Sequence, residues 1–170
     1  MQTSFTDKQL QDKDNKTSET IIRKCVHCGM CNATCPTYGI NGEELEGPRG
    51  RIYLIKDMLE NKKPATKEIT KHIDSCLSCY SCMTTCPSGV NYMHLIDHGR
   101  NYVEETYKRP FLDRLFRNIL SFVLPRPKIF LFMAWSSKIV KPFSFLFPKF
   151  LRNALNLMPD KIPGKKLEEK

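Results

Sequence analysis

Two stretches decide the fold: Cys25-Val-His-Cys28-Gly-Met-Cys31-Asn-Ala-Thr-Cys35-Pro36 and Cys76-Leu-Ser-Cys79-Tyr-Ser-Cys82-Met-Thr-Thr-Cys86-Pro87. In each run three cysteines are spaced three apart, and a fourth follows four positions later, directly before a proline. Every cysteine of the first run has its counterpart 51 residues further on, and the chain contains no other cysteine. A repeat with one fixed offset predicts a common role for all eight thiols.

This spacing is typical of thiolate ligands to [4Fe–4S] clusters. Three cysteines spaced three apart wrap one loop around a corner of the cube, so the fourth ligand has to come from another segment. In proteins with two clusters, the Cys-Pro position of one run serves the cluster of the other run. We therefore predict two crossed ligand sets. The first set is Cys25, Cys28, Cys31 and Cys86, and the second set is Cys76, Cys79, Cys82 and Cys35.

Three other uses of the cysteines compete with this interpretation. Two Cys-x-x-Cys pairs also match a zinc site, but such a site leaves the third and fourth cysteines of each run without a role. Eight cysteines suit the disulfide framework of a small secreted domain, but the first twenty residues are polar and lack the apolar core of a signal peptide. Buried structural thiols would not repeat at a fixed offset. We expect reduced thiols and a cytoplasmic location.

Positive charge is concentrated in the second half of this chain of 170 residues. Residues 1–86 contain 12 lysines and arginines against 11 acidic residues, whereas residues 87–170 contain 15 against 7. A basic half predicts an acidic partner surface or anionic lipid, or a solvated face without a partner. Because no nucleic-acid-binding motif accompanies the charge, we do not expect nucleic acid as a partner.

Apolar residues recur with helical periodicity, and no stretch between the runs alternates with a period of two, which predicts a mainly α-helical fold. Residues 1–17 form a polar N-terminal lead in this interpretation, and residues 18–108 form an α-helical ferredoxin domain with two [4Fe–4S] clusters. A domain of this size needs such clusters as staples of its small core. Its helices are predicted at 18–24, from Pro48 to 60, at 66–74 and at 91–108.

A helical extension rich in aromatic and basic residues is predicted at 109–158, followed by a flexible tail at 159–170. Its longest apolar run covers 129–135, far short of the about 20 residues of a spanning helix. An amphipathic stripe predicts docking on a partner subunit or packing on the chain's own core, with peripheral contact at the cytoplasmic face of the inner membrane as a third reading. The stripe consists of Leu112, Leu115, Phe116 and Ile119.

Residues beside the cysteines give weaker signals. Arg49 and Arg51 are predicted either to lie near a cluster, where they stabilise its reduced form, or to face solvent. Met30 and Tyr80 are predicted to shield sulfur from water. No Ser-His-Asp constellation, carboxylate pair or glycine-rich phosphate loop is present. We therefore predict no catalytic residues and do not expect the chain to be catalytic alone.

The residues around the cysteines resemble a known family. The stretch from Cys25 to Tyr38, the segment Gly47-Pro-Arg-Gly-Arg-Ile-Tyr-Leu-Ile-Lys56 and the stretch from Cys76 to Gly89 are similar to the iron–sulfur subunits of glycolate oxidase (glycolate dehydrogenase). The cysteine runs alone are shared with subunits of succinate dehydrogenase, heterodisulfide reductase and anaerobic glycerol-3-phosphate dehydrogenase. The segment that begins at Gly47 narrows the resemblance, which covers residues 18–145.

The resemblance implies a helical domain with two [4Fe–4S] clusters that works beside FAD-containing dehydrogenase subunits. Those subunits oxidise glycolate to glyoxylate, and this one relays the electrons towards a quinone or another acceptor. Family members continue into two cysteine-rich domains, whereas this sequence has no cysteine after Cys86. Three explanations of this difference are open. A separate chain supplies those domains, or the sequence is a truncated product, or the protein works without them. A diffusible ferredoxin-like carrier, or the subunit of another flavin dehydrogenase (for lactate, glycerol-3-phosphate or a heterodisulfide), is the alternative function.

Overall fold

The computed structural model describes residues 1–140 and 152–153. The chain divides into two compact units, Met1–Lys108 and Arg109–Lys170. The described residues form α-helices and short 3-10 turns but no strand, which confirms the predicted helical class. The helices are α1 (Lys13–Lys24), α2 (Pro36–Asn41), α3 (Pro48–Asn61), α4 (Lys67–Asp74), α5 (Ser81–Thr84), α6 (Tyr92–Thr106), α7 (Phe111–Val123) and α8 (Pro127–Val140).

The first unit starts earlier along the chain than the predicted domain boundary at residue 18. The side chain of Asp12 caps α1 at its N-terminus. Before it, the buried side-chain amide of Gln9 donates to the carbonyl oxygens of Leu59 and Glu60, at 2.9 and 3.0 Å. Because these bonds join the predicted polar lead to the end of α3, part of that lead packs as a component of the first unit.

Helices α3 and α6 form the centre of the core. On α3, the predicted apolar positions Ile52, Ile55 and Leu59 are buried. Tyr53, predicted to widen this stripe, is 56% exposed, because one residue turns a helix by about 100° and carries position 53 away from the core. On α6, Gly99 approaches α3 so closely that a Cβ there would contact the side chain of Ile55.

The predicted starts of two helices coincide with capping residues. Thr66 accepts a hydrogen bond from the N–H of Ile69 at the start of α4, and Asn91 accepts one from the N–H of His94 at the start of α6. Such caps satisfy backbone donors that have no partner inside the helix. The residues predicted to start these two helices, Thr66 and Asn91, are therefore their N-caps.

The second unit is described through α7 and α8. The helical extension predicted at 141–158, apart from 152–153, and the tail predicted at 159–170 lie outside the described residues. The predicted apolar stripe of α7 is largely exposed, with Leu112 at 76%. Among the described residues, no single helix is both long enough and apolar enough to cross a membrane. Phe111–Val123 and Pro127–Ser136 meet that requirement only as a pair, and they are bent by 114° at the break between them.

Candidate iron–sulfur centre

The two cysteine runs share a backbone conformation as well as a spacing. Positive φ angles occur at His27 and Gly29 in the first run and at the equivalent Ser78 and Tyr80 in the second. Three of these four residues carry a Cβ, which disfavours the left-handed region. Their repetition at matched positions indicates that each loop is turned inward in the same way, so that successive thiols converge.

The structure brings the four thiols of the first set to one cavity. Cys25, Cys28, Cys31 and Cys86 all line it, although Cys86 lies 51 positions beyond its counterpart Cys35. Cys25 is buried and Cys28 is exposed, so the site reaches from the core to the surface. The remaining wall is largely apolar, with Ile52 and Val90 among its buried side chains.

The four thiols of the second set line a neighbouring cavity. Cys35, Cys76, Cys79 and Cys82 are all found in its wall, again three from one run and the Cys-Pro residue from the other. Cys82 is buried and Cys79 is exposed, so this site also reaches from the core to the surface, although its buried thiol is the third of its run and that of the first site is the first. Each cavity is therefore lined by the four thiols of one predicted set, and the first also by Cys82; which thiols bind which cluster stays a prediction.

The two cavities share part of their walls. Pro48, Cys82 and Tyr92 line both. Pro48 is the first residue of α3, so the N-terminal end of that helix lies at both sites. The positive end of a helix dipole favours negative charge there, as a set of thiolates provides.

Burial and mutual repulsion disfavour thiolates at the centre of each set. Burial, together with Cys25, Cys86 and Cys28, raises the pKa of Cys31 to about 11. At the second site, burial is again the largest cause and raises the pKa of Cys82 to about 12, with contributions from four neighbouring thiols. Four converging thiolates are therefore stable only with bound positive charge, which iron supplies when it replaces the thiol protons. The donor set and the apolar walls fit a [4Fe–4S] cluster at each site.

Polar side chains reach the sulfurs of the second set. The hydroxyl of Tyr92 lies 3.7 Å from Sγ of Cys76, and Nη1 of Arg51 lies 4.0 Å from Sγ of Cys35. The hydroxyl of Thr37 is 3.2 Å from the same Cys35 sulfur. At the first set, the backbone N–H of Val90 lies 3.5 Å from Sγ of Cys86.

In the segment Gly47-Pro-Arg-Gly-Arg51, both glycines stand where a larger residue would not fit. A Cβ at Gly47 would meet the side-chain amide of Asn32. A Cβ at Gly50 would overlap the backbone of Glu44 and Leu45. Both glycines therefore let the start of α3 press against the segment that precedes it, beside the two sites.

Arg51 stands in a buried network. Its Nη2 lies 2.9 Å from a carboxylate oxygen of Glu46, and both side chains are at most 2% exposed. The other carboxylate oxygen of Glu46 lies 2.8 Å from Nδ1 of His72, and Ser75 donates to the same carboxylate. Burial alone would raise the pKa of Glu46, but the hydrogen bonds from Ser75 and His72 and the charge of Arg51 hold that pKa below its usual value.

Arg49 is the counterpart of Arg51 at the first site. It lines the first cavity and pairs with Glu44, five positions earlier, as Arg51 pairs with Glu46. Its side chain is 32% exposed, however, and its guanidinium packs against Gly29. The sequence left open whether Arg49 and Arg51 lie near a cluster or face solvent. In the structure Arg49 lies at the first site and Arg51 at the second, and only Arg51 is buried.

Two further sequence signals have different outcomes. Tyr80 is partly buried and lines the second cavity, in keeping with a shielding role. Met30 is 54% exposed and lines neither cavity, so its predicted role as a shield is wrong. The sequence analysis did not predict that Tyr92, Glu46 and His72 lie beside the second site. The one signal for any of them was the repeated spacing of five residues, from Glu44 to Arg49 and from Glu46 to Arg51, which pairs Glu46 with an arginine.

Comparisons with known proteins agree with this site. Residues 21–90 match the family model of a 4Fe-4S dicluster domain. The chain is 48% identical to the glycolate oxidase iron–sulfur subunit of Escherichia coli over 84% of its own length and 35% of that protein's length. It is 31% identical to the probable glycolate oxidase iron–sulfur subunit of Bacillus subtilis, over 66% of this chain and 26% of that protein.

A more distant similarity links the chain to another iron–sulfur subunit. It is 30% identical to the succinate dehydrogenase iron–sulfur subunit of Paracoccus denitrificans, over 41% of this chain and 29% of that protein. No solved structure gives a significant match. The chain thus spans about a third or less of the length of these relatives. Residues 21–90 form a 4Fe-4S dicluster domain that binds two [4Fe–4S] clusters, in a chain related to the iron–sulfur subunits of glycolate oxidase.

Proposed function

We propose that this chain is the electron-transfer iron–sulfur subunit of a glycolate oxidase (glycolate dehydrogenase) complex. It receives electrons from an FAD-containing subunit that oxidises glycolate to glyoxylate, and passes them towards a quinone or another acceptor. The observation that carries the proposal is the pair of adjoining cavities that are together lined by all eight thiols and share part of their wall. The 48% identity to a relative named for this subunit supports the choice of glycolate.

The bound clusters supply reversible single-electron transfer, and the chain's own residues set its conditions. Ile52 and Val90 exclude water from the first site, because both side chains are apolar and buried. Cys28 and Cys79 bring one edge of each site to the surface. An electron carrier needs both features, a shielded interior and an exposed edge near which a redox partner can dock.

We propose that the chain does not act on an organic substrate by itself. The buried titratable groups beside the sites, Glu46 and His72, are bonded to each other and to Arg51. They are therefore occupied as a structural network and are not positioned as an acid or base towards a substrate. Oxidation of the organic substrate belongs to a partner subunit in this proposal.

The exposed apolar side of α7 supports a role inside a complex. Phe111 and Leu112 are each 76% exposed, and Phe122 is 53% exposed. Apolar residues concentrated on one helix in this way mark a docking surface, which a freely diffusing carrier does not need. We propose that α7 docks on a partner chain, either a flavoprotein subunit or a separate chain with the cysteine-rich domains of the family.

We also propose a cytoplasmic location, because cluster-binding cysteines have to stay reduced and a reducing compartment keeps them so. Contact with the cytoplasmic face of the inner membrane is the alternative use of α7, since Arg114 and Arg117 lie on the same helix as its apolar residues. Co-sedimentation with vesicles that contain anionic lipid separates this alternative from docking on a protein. Strong sedimentation of the isolated chain would favour the membrane.

The decisive experiment is anaerobic capture of the tagged chain from its native extract, followed by identification of bound flavoproteins. We expect one flavoprotein, and we expect glycolate to bleach the visible absorbance of the captured complex while lactate and glycerol-3-phosphate do not. Bleaching by another of these substrates would move the chain to a different flavin dehydrogenase. Capture of no flavoprotein, with reduction by several unrelated ones in solution, would establish the diffusible carrier.

A matched pair of variants tests the docking surface. Leu112→Glu places a charge on α7 and should abolish capture of the flavoprotein. Ile40→Glu makes the same change at a residue of the first unit that is 82% exposed, and it should leave capture unchanged. Equal capture by both variants would remove α7 from the interface.

A further inference from the structure

Hydrogen-bond donors are distributed unequally between the sulfurs of the two ligand sets. At the second set, the Tyr92 hydroxyl is 3.7 Å from the Cys76 sulfur, and Nη1 of Arg51 is 4.0 Å from the Cys35 sulfur. At the first set, the donors among the described residues are backbone N–H groups, that of Val90 at 3.5 Å from the Cys86 sulfur and that of Cys31 to its own sulfur. Hydrogen bonds to cluster sulfurs are one of the main determinants of reduction potential.

Solvent exposure also affects the reduction potential, but it is similar at the two sites. Cys25 and Cys82 are each 8% exposed. Cys28 and Cys79 are the exposed ligands of their sets and occupy matched positions in the two runs. Because both sites run from a buried to an exposed thiol, the side-chain donors form the clearest difference between them.

The two arginines add to this difference. Each pairs with a glutamate, so the net charge that each pair brings to its site is the same. The Arg51 side chain is 1% exposed and the Arg49 side chain is 32% exposed. A donor in a low-dielectric interior acts more strongly than one that water screens, so Arg51 has the larger effect on its site.

We propose that Tyr92 and Arg51 raise the reduction potential at the second set above the potential at the first, so that the first electron to enter the domain rests at the second site. The physical reason is that a donor stabilises the more negative, reduced state more than the oxidised state. Thr37 does not add to this effect, because its single hydroxyl proton is donated to the Glu46 carbonyl oxygen, at 2.7 Å.

This inference deepens the proposed electron-transfer function, since it assigns an order to the two sites. An electron that arrives at the exposed edge of the first site, at Cys28, then moves towards the second site with a gain in free energy. The order depends on this chain's residues and not on the identity of the flavoprotein substrate. Its test therefore needs no partner protein, and its failure would leave the capture experiment with glycolate unaffected.

The first test assigns the potentials. Anaerobic redox titration of the reconstituted chain, followed by electron paramagnetic resonance, should show two steps at different potentials. Cys79→Ser, in the second set, should shift or remove the step at higher potential, and Cys28→Ser should do so for the step at lower potential. The reverse assignment, or a single step in which the two potentials coincide, would overturn the proposal.

The second test removes one donor. Tyr92→Phe keeps the ring and deletes the hydroxyl. It should lower the higher of the two potentials by up to ~59 mV, which is a tenfold change in the equilibrium constant of a one-electron reduction. Tyr102→Phe makes the same change on the same helix, where the hydroxyl donates to the Lys63 carbonyl oxygen at 3.1 Å, and it should move neither step. Equal shifts in the two variants, or no shift in Tyr92→Phe, would refute the role of Tyr92. If Tyr92→Phe does not fold, the serine variants still decide the order.

Discussion

Arg51 and Glu46 form an ion pair in the interior of the first unit, with 2.9 Å between Nη2 and a carboxylate oxygen. The pair sits where α3 begins, directly behind the Cys35 thiol of the second site. Arg49 and Glu44 repeat the same spacing two positions earlier in the sequence, but with both side chains partly in water. The chain thus contains a buried and an exposed version of one interaction, one at each cluster site.

Removal of the two arginines should have very different costs. Arg51→Met leaves Glu46 as a buried carboxylate without its main positive partner, so we expect a loss of about 3–5 kcal/mol in the free energy of unfolding. Arg49→Met removes a solvent-screened pair and should cost about 0–1 kcal/mol. Anaerobic denaturation of the holo forms measures both values. Comparable losses in the two variants would show that burial of the Arg51 pair does not matter.

Gly50 should be sensitive to the addition of a single methyl group. Gly50→Ala forces a Cβ against the backbone of Glu44, and we expect a loss of about 1–3 kcal/mol or more because backbone has to move. Gly39→Ala is the control, since a Cβ at that helical position meets no atom within 4 Å. The control should be neutral or stabilising by about 0.5–1 kcal/mol. A stable Gly50→Ala variant would mean that α3 is less tightly seated than described.

His98 predicts a dependence of stability on pH. Its Nδ1 lies 2.6 Å from the buried hydroxyl of Ser18. Burial is the largest cause that lowers the pKa of His98, and the neighbouring His94 lowers it further. The negative charges of Asp14, Asp12 and Glu105 act in the opposite direction but do not outweigh burial. The folded chain therefore binds a proton less readily than the unfolded chain, whose histidine titrates at about 6.5.

The contribution of His98 should therefore be complete above about pH 6.5 and should be lost as the pH falls below that value towards the lowered folded-state pKa. Thermal unfolding of the holo form between pH 8 and 5.5 measures this loss. His98→Gln should flatten the acid side of the profile, whereas His94→Gln, one turn earlier on α6, should keep it. An unchanged profile in His98→Gln would assign the acid sensitivity to other groups.

The crossed ligand sets predict an asymmetric response to loss of the Cys-Pro thiols. In a chain in which Cys25, Cys28 and Cys31 are changed to alanine, only the second site should hold a cluster. Adding Cys86→Ser to that chain should leave the iron content and the resonance spectrum unchanged, whereas adding Cys35→Ser should destroy the remaining cluster. The opposite pattern would show that each run binds its cluster with its own four thiols.

The sequence predicted those parts of the fold that depend on local signals. Thr66 and Asn91 mark helix starts because a capping side chain acts within three residues. The stripe of Ile52, Ile55 and Leu59 is buried because helical periodicity alone determines which residues share a face. The binding of Cys86 to the cluster of the first run stays a prediction, made because a fourth ligand is not expected from the same tight loop.

The rest depended on contacts between distant segments. Tyr92 reaches Cys76 across 16 positions, and His72 reaches Glu46 across 26, and no periodic pattern encodes such pairs. Met30 was predicted to shield a sulfur because it lies inside a cysteine run. The left-handed backbone at Gly29 turns the chain at that point, however, and the Met30 side chain faces solvent.

The most direct test of the account is the iron and acid-labile sulfide content of the full chain after anaerobic reconstitution. Two [4Fe–4S] clusters predict about eight iron atoms and about eight sulfide ions per chain, with a brown colour that dithionite bleaches. Stoichiometric zinc without sulfide, or a colourless protein after reconstitution, would contradict the central claim that the eight cysteines hold two clusters.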